Sequence, residues 1–138
     1  MKPRYEVLSH TADTGVVVHG STLREVFESA AFAMFDLIFG IGDLAGVDRV
    51  QVEVTAPTVE DLLVDWLSTL LFEAETNDLA FCSFEIDTID DGHATGWAIG
   101  SSVVDLELSG PPIKAVTYHD LRVEKTAGGW SARVVFDV

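Results

Sequence analysis

Two long stretches of helical period, each with its own start and stop signals and parted by a single strand, leave this chain few folds to choose from. In STLREVFESAAFAMFDLIFG, Ser21 to Gly40, the apolar residues Leu23, Val26, Phe27, Ala30, Ala31, Met34, Phe35 and Ile38 recur at i, i+3, i+4 and i+7. Ser21 or Thr22 can cap the start, and Gly40 is a natural stop. TVEDLLVDWLSTLLFEAET repeats the pattern through Val59, Leu62, Leu63, Trp66, Leu67, Leu70 and Leu71, with Thr58 as cap and Asp61 at the capping-box position. Between the two, Val50, Val52 and Val54 alternate with Gln51, Glu53 and Thr55, the period of a strand with one face buried and one wet. Pro57 ends that strand, and residues 43–48 read as a loop.

The remaining segments read as short strands. Two precede the first helix, at residues 5–9 and 16–19. After Leu79 come strands at 80–89, 94–99, 103–108, 113–119, 121–125 and 130–138, parted by turn residues such as the DDGH at 90–93. Strands on either side of two helices predict an α+β protein: two amphipathic helices packed on one mainly antiparallel multi-stranded sheet. A length of 138 residues suits a single domain over 1–138.

Charge narrows the function. Eight Lys and Arg against 23 Asp and Glu leave a net charge of −15. Phosphate backbones are repelled by such a surface, so direct nucleic-acid binding is not expected. An acidic protein can still act on an enzyme that binds nucleic acid, gather cations, or stay soluble in salt. Cys82 is the only cysteine, which excludes an internal disulfide or a cysteine metal cage. MKPRYEVLSH lacks the apolar core of a signal peptide, and no apolar run approaches the ~20 residues that span a bilayer. The expectation is a cytoplasmic protein with no membrane association. No phosphate-binding loop, dinucleotide fingerprint, nucleophile elbow or zinc-protease signature occurs.

A few residues stand apart. SHTAD sets His10, Thr11 and Asp13 just before an apolar strand. Thr11 and Asp13 suit a turn made by side-chain hydrogen bonds, and Asp13 equally suits a hard cation, although one carboxylate holds none alone. A candidate partner is Asp137, which closes WSARVVFDV with Val138; a main-chain oxygen of Val138 would complete an all-oxygen set, and the alternative is an exposed tooth of an edge strand. IKAVTYH places Lys114 and His119 on opposite sides of a strand, with Lys114 suited to a carboxylate, a phosphate or the protection of an edge. His19 and His93 read as surface residues, and Asp36 and Asp65 fall on the solvated faces of their helices.

Taken together, the chain resembles the archease family. The resemblance rests on YEVLSHTAD, TLREVFESAAFAMFDL, DLLVDWLSTLLF, KAVTYH and the closing Asp-Val pair, in that order along nearly the whole length. It implies a non-enzymatic activator, with no catalytic residues, of an RtcB-type GTP-dependent RNA ligase. Such an activator promotes guanylylation and multiple turnover in tRNA splicing, tRNA processing and RNA repair. The implied metal site is Asp13, Asp137 and Val138, holding a divalent cation: calcium first, with magnesium or manganese also compatible. His10, Lys114 and His119 are implied as outer or partner contacts. One stretch departs from the family: in GSSVVDLELSGPPIKAVTYH, Gly100 is followed by Ser101 and no basic residue occurs until Lys114, so the contact this loop makes in relatives is not carried over. Two other functions compete, a stand-alone metal-dependent hydrolase with His10 as base, and a chaperone-like acidic scaffold.

Overall fold

A computed structural model describes residues 5–9, 13–104 and 106–138. Among these, the elements run β1 (Tyr5–Ser9), β2 (Asp13–Gly20), α1 (Leu23–Phe39), β3 (Asp48–Thr55), α2 (Val59–Asn77), β4 (Leu79–Ile89), β5 (His93–Ser102), β6 (Ala115–Thr126) and β7 (Gly129–Asp137). A short 3-10 turn at Ile41–Asp43 leads into the interval expected to be loop and overlaps it at Asp43.

Both helices begin and end as their capping chemistry dictates. The Thr22 Oγ1 accepts from the Glu25 N–H at 3.2 Å, and the Glu25 carboxylate reaches back to the Ser21 N–H at 2.6 Å, so two free donors of the first turn are satisfied reciprocally. Thr58 does the same for α2, accepting from the Asp61 N–H at 3.1 Å while its hydroxyl donates to the Asp61 carboxylate at 2.9 Å. Gly40 ends α1 in the left-handed region at φ 66°, where a side chain would be strained. Asp78 ends α2 in the same region at φ 53°, one of the few non-glycine residue types that tolerate it.

The strands form two antiparallel sheets, β1-β2-β7-β6 and β3-β5-β4. Two helices on antiparallel strands are as expected; the strands divide between two sheets rather than forming one. Each helix packs against strands of both sheets. The helical layer therefore joins the sheets. Its interior is built of Phe27, Met34, Phe35, Leu62, Leu63 and Trp66, all essentially inaccessible to water. The Trp66 indole N–H donates to the Phe27 carbonyl at 3.1 Å, tying α2 to α1 inside the core. Phe35 meets Phe81 edge-on at 5.5 Å and stacks with Phe84 at 5.7 Å, fixing α1 on the three-stranded sheet.

Two further strand expectations are corrected. The described residues of 103–108 form no strand: the chain leaves β5 where the Val103 N–H donates to the Asp78 carbonyl at 3.0 Å, and it is held against the end of α1 by Ser109 N–H on the Ile38 carbonyl at 2.7 Å. The segments at 113–119 and 121–125 are one strand, β6, with an irregularity: it runs from Thr117 to Arg122 while β7 runs only from Val135 to Arg133. Asp120, at φ 50°, takes up the excess as a bulge.

Candidate functional site

β2 and β7 are neighbours, and their register sets Asp13 directly opposite Asp137. On the other side of β7, Ala115 of β6 faces Asp137, and the Lys114 N–H donates to the Asp137 main-chain oxygen at 2.7 Å. The end of β7 is thus held between two strands. Val138 follows, half-buried against the core. Asp13, Asp137 and Val138, far apart in sequence, share one corner of the four-stranded sheet.

The electrostatics of this corner are unbalanced. Asp137 is exposed and Asp13 half-buried, and the Asp13 Oδ1 is shielded from solvent with no hydrogen-bond donor among the described residues. Leaving such an atom unpaired costs about 1–3 kcal/mol, more when it is charged. Like charges facing each other across a strand pair add to that cost. A cation between them would relieve both. Among the described residues no three His, Cys, Asp or Glu side chains cluster as a metal cage, so a bound ion would draw on two carboxylates, main-chain oxygen and water. That donor set suits a hard divalent cation and does not suit zinc.

Next to this corner lies a residue misread from the sequence. Helical periodicity puts Asp36 on a solvated face; instead it is half-buried, and its Oδ2 accepts from the Tyr5 hydroxyl at 2.5 Å. Tyr5, Asp36, Thr14, Leu37 and Val138 line a cavity of about 400 Å³. The partner lies 31 residues away on β1, and no local pattern announces it. Burial, then the hydrogen bond to Asp36 and the charge of that carboxylate, raise the Tyr5 phenol well above its usual 10.0. The protonated phenol therefore stabilises the fold fully below that usual value, and the contribution is lost as pH rises through the higher folded value. The stability difference between wild type and Tyr5→Phe is expected to be constant below about pH 10 and to shrink above it. Urea unfolding at a series of alkaline pH values checks this, and a difference that stays constant throughout would refute the role assigned to Tyr5.

The other expected residues are placed less centrally. Lys114 has its main chain beside Asp137 and its side chain exposed. His119 stands four positions along β6 from Ala115, on the order of 13 Å by strand rise, in the bulge rather than at the corner. Its Nε2 lies 3.4 Å from the Asp120 carboxylate, which also receives Arg133 at 3.6 Å. His10 falls outside the described residues.

By architecture the chain is an α+β protein of two antiparallel sheets joined by two helices, with a facing carboxylate pair at a strand-end corner. A family model described as the Archease protein family (MTH1598/TM1083) matches residues 5–138. Protein archease of Methanosarcina acetivorans is 44% identical over 140 residues, covering 98% of this chain and 96% of that protein. Protein archease of Methanothermobacter thermautotrophicus is 36% identical over 137 residues, covering 97% and 98%. Among solved structures, the solution structure of Methanobacterium thermoautotrophicum protein 1598 superposes with a TM-score of 0.79 at 34% identity over 100% of both chains. A crystal structure from Thermotoga maritima, described as an archease and possible chaperone, shares the fold at a TM-score of 0.65 and 22% identity, covering 95% and 94%. The chain belongs to the archease family. Among the described residues no helix is long and apolar enough to cross a membrane.

Proposed function

We propose that this protein is a non-catalytic, cytoplasmic activator of an RtcB-type RNA ligase, working in tRNA splicing and RNA repair. Asp13, Asp137 and a main-chain oxygen of Val138 hold a divalent cation, with calcium first and magnesium or manganese also suited to the donors. The observation that carries this reading is the register pairing of Asp13 with Asp137, together with the shielded Asp13 Oδ1, which has no donor among the described residues. When bound, the cation supplies the positive charge that neutralises the facing carboxylates. The strands do the rest: β2 and β6 clamp the end of β7, so the acidic corner is presented as a rigid tip.

Charge supports the choice of partner. A chain of net charge −15 is poorly suited to holding RNA and well suited to meeting a basic RNA-binding enzyme, since opposite fields raise the encounter rate. Lys114, exposed beside Asp137, is in position to touch the partner or its nucleotide.

The test is multiple-turnover RNA ligation by the cognate ligase with GTP and manganese. Catalytic amounts of this protein are expected to increase turnover and formation of the guanylylated ligase, and Asp13→Ala or Asp137→Ala to abolish the increase while the fold survives. An unchanged ligation rate with wild-type protein would sink the proposal.

A further inference from the structure

A second cavity, of about 440 Å³, opens where α1 and α2 both end. Phe35 and Ile38 of α1, Leu71 and Ala74 of α2, and Leu106 and Leu108 of the segment after β5 form its walls. Among the described residues its charged lining is the carboxylates Glu75 and Asp78, both exposed. Leu108 itself is 54% exposed, although it belongs to an apolar wall.

Helix direction adds to the negative charge at the mouth. A helix C-terminus carries roughly half a negative elementary charge, normally offset by a basic side chain in the last turn. Neither α1 nor α2 has a basic residue there. Two dipole ends and the carboxylates of Glu75 and Asp78 therefore border an apolar hollow within the size range of ligand sites, about 300–1,000 Å³. The complement is an apolar group with positive charge beside it, because Glu75 and Asp78 stand at the edge of the hollow where α2 ends. A lysine or arginine next to a large apolar side chain along one backbone meets that requirement.

We propose that this cavity is a docking site for a protein segment bearing a large apolar side chain next to lysine or arginine. The proposal goes beyond the reading of the carboxylate corner and is independent of it, since the two sites share neither Asp13 nor Asp137. Binding to such a segment relies on apolar burial in the hollow and on the mouth for orientation and encounter rate.

The probe is the synthetic peptide Lys-Lys-Leu-Phe-Lys-Lys, compared with Glu-Glu-Leu-Phe-Glu-Glu, and methyl NMR of the full chain reads the site. The lysine peptide is expected to shift the methyl signals of Leu71, Leu106, Leu108 and Ile113, with affinity falling as salt is raised, and the glutamate peptide to leave them unmoved. Glu75→Gln combined with Asp78→Asn is expected to weaken binding about threefold per charge removed. Ala74→Met, which fills the hollow, and the surface change Leu108→Ser, which is safe for folding, are each expected to weaken it about fivefold or more. Equal shifts from both peptides, shifts confined to other regions, or no shifts at all would overturn the proposal.

Discussion

In calcium-containing buffer, Asp13→Asn is expected to lose the entire cation-dependent gain in stability that the wild-type protein shows. A ligand present at a hundred times its dissociation constant stabilises the folded state by about 2.7 kcal/mol, which is the size of the gap expected between the two proteins. In cation-free buffer the order should vanish or reverse. Asp13 and Asp137 face each other across a strand pair, so removing one charge relieves a repulsion of about 0.2–1 kcal/mol. This change of sign separates a cation site from a carboxylate serving the fold alone, which would lose stability in both buffers. Urea unfolding of both proteins with calcium, magnesium, manganese or chelator decides it; a wild-type midpoint that no cation moves would eliminate the site.

Trp66→Ala should cost about 3–5 kcal/mol of unfolding free energy, a large part of what a domain of this size possesses. Trp66 is fully buried, and its indole N–H closes the contact from α2 to the Phe27 carbonyl of α1. The change leaves a void in the layer that joins the two sheets. Trp66→Phe separates the two contributions: it keeps most of the volume and is expected to cost about 1–3 kcal/mol for the hydrogen bond lost. Because both helices pack against both sheets, both variants should unfold in one transition seen alike by far-UV and near-UV circular dichroism. Loss of one sheet ahead of the other would contradict that architecture.

The parts of the fold legible in the sequence are those governed by neighbouring residues. Thr22, Gly40 and Thr58 mark helix ends through bonds made within a turn, and the valines of β3 alternate because one face is wet. What stayed hidden depends on pairing at a distance. VVDLEL, residues 103–108, alternates as well as a true strand, yet Leu106 and Leu108 line a cavity with α1 and α2 and need no ladder. Nothing local says how many sheets a set of strands makes, since any strand can pair with any other of matching length. Asp36 was misread for the same reason: its partner Tyr5 belongs to another element. At the carboxylate corner, Asp13 and Asp137 were each ambiguous by themselves. Resemblance to a family joined them, and the β2–β7 register shows them opposite each other, while the cation itself remains part of the proposal.

The place of β7 in its sheet has a consequence for timing. It is made last among the described strands and yet lies between β2 and β6, so the four-stranded sheet cannot close until the ribosome has released the segment that fills its gap. At synthesis rates of about 5–20 residues per second, Asp13 waits for several seconds without the carboxylate that will face it. The acidic corner therefore appears only with the finished sheet.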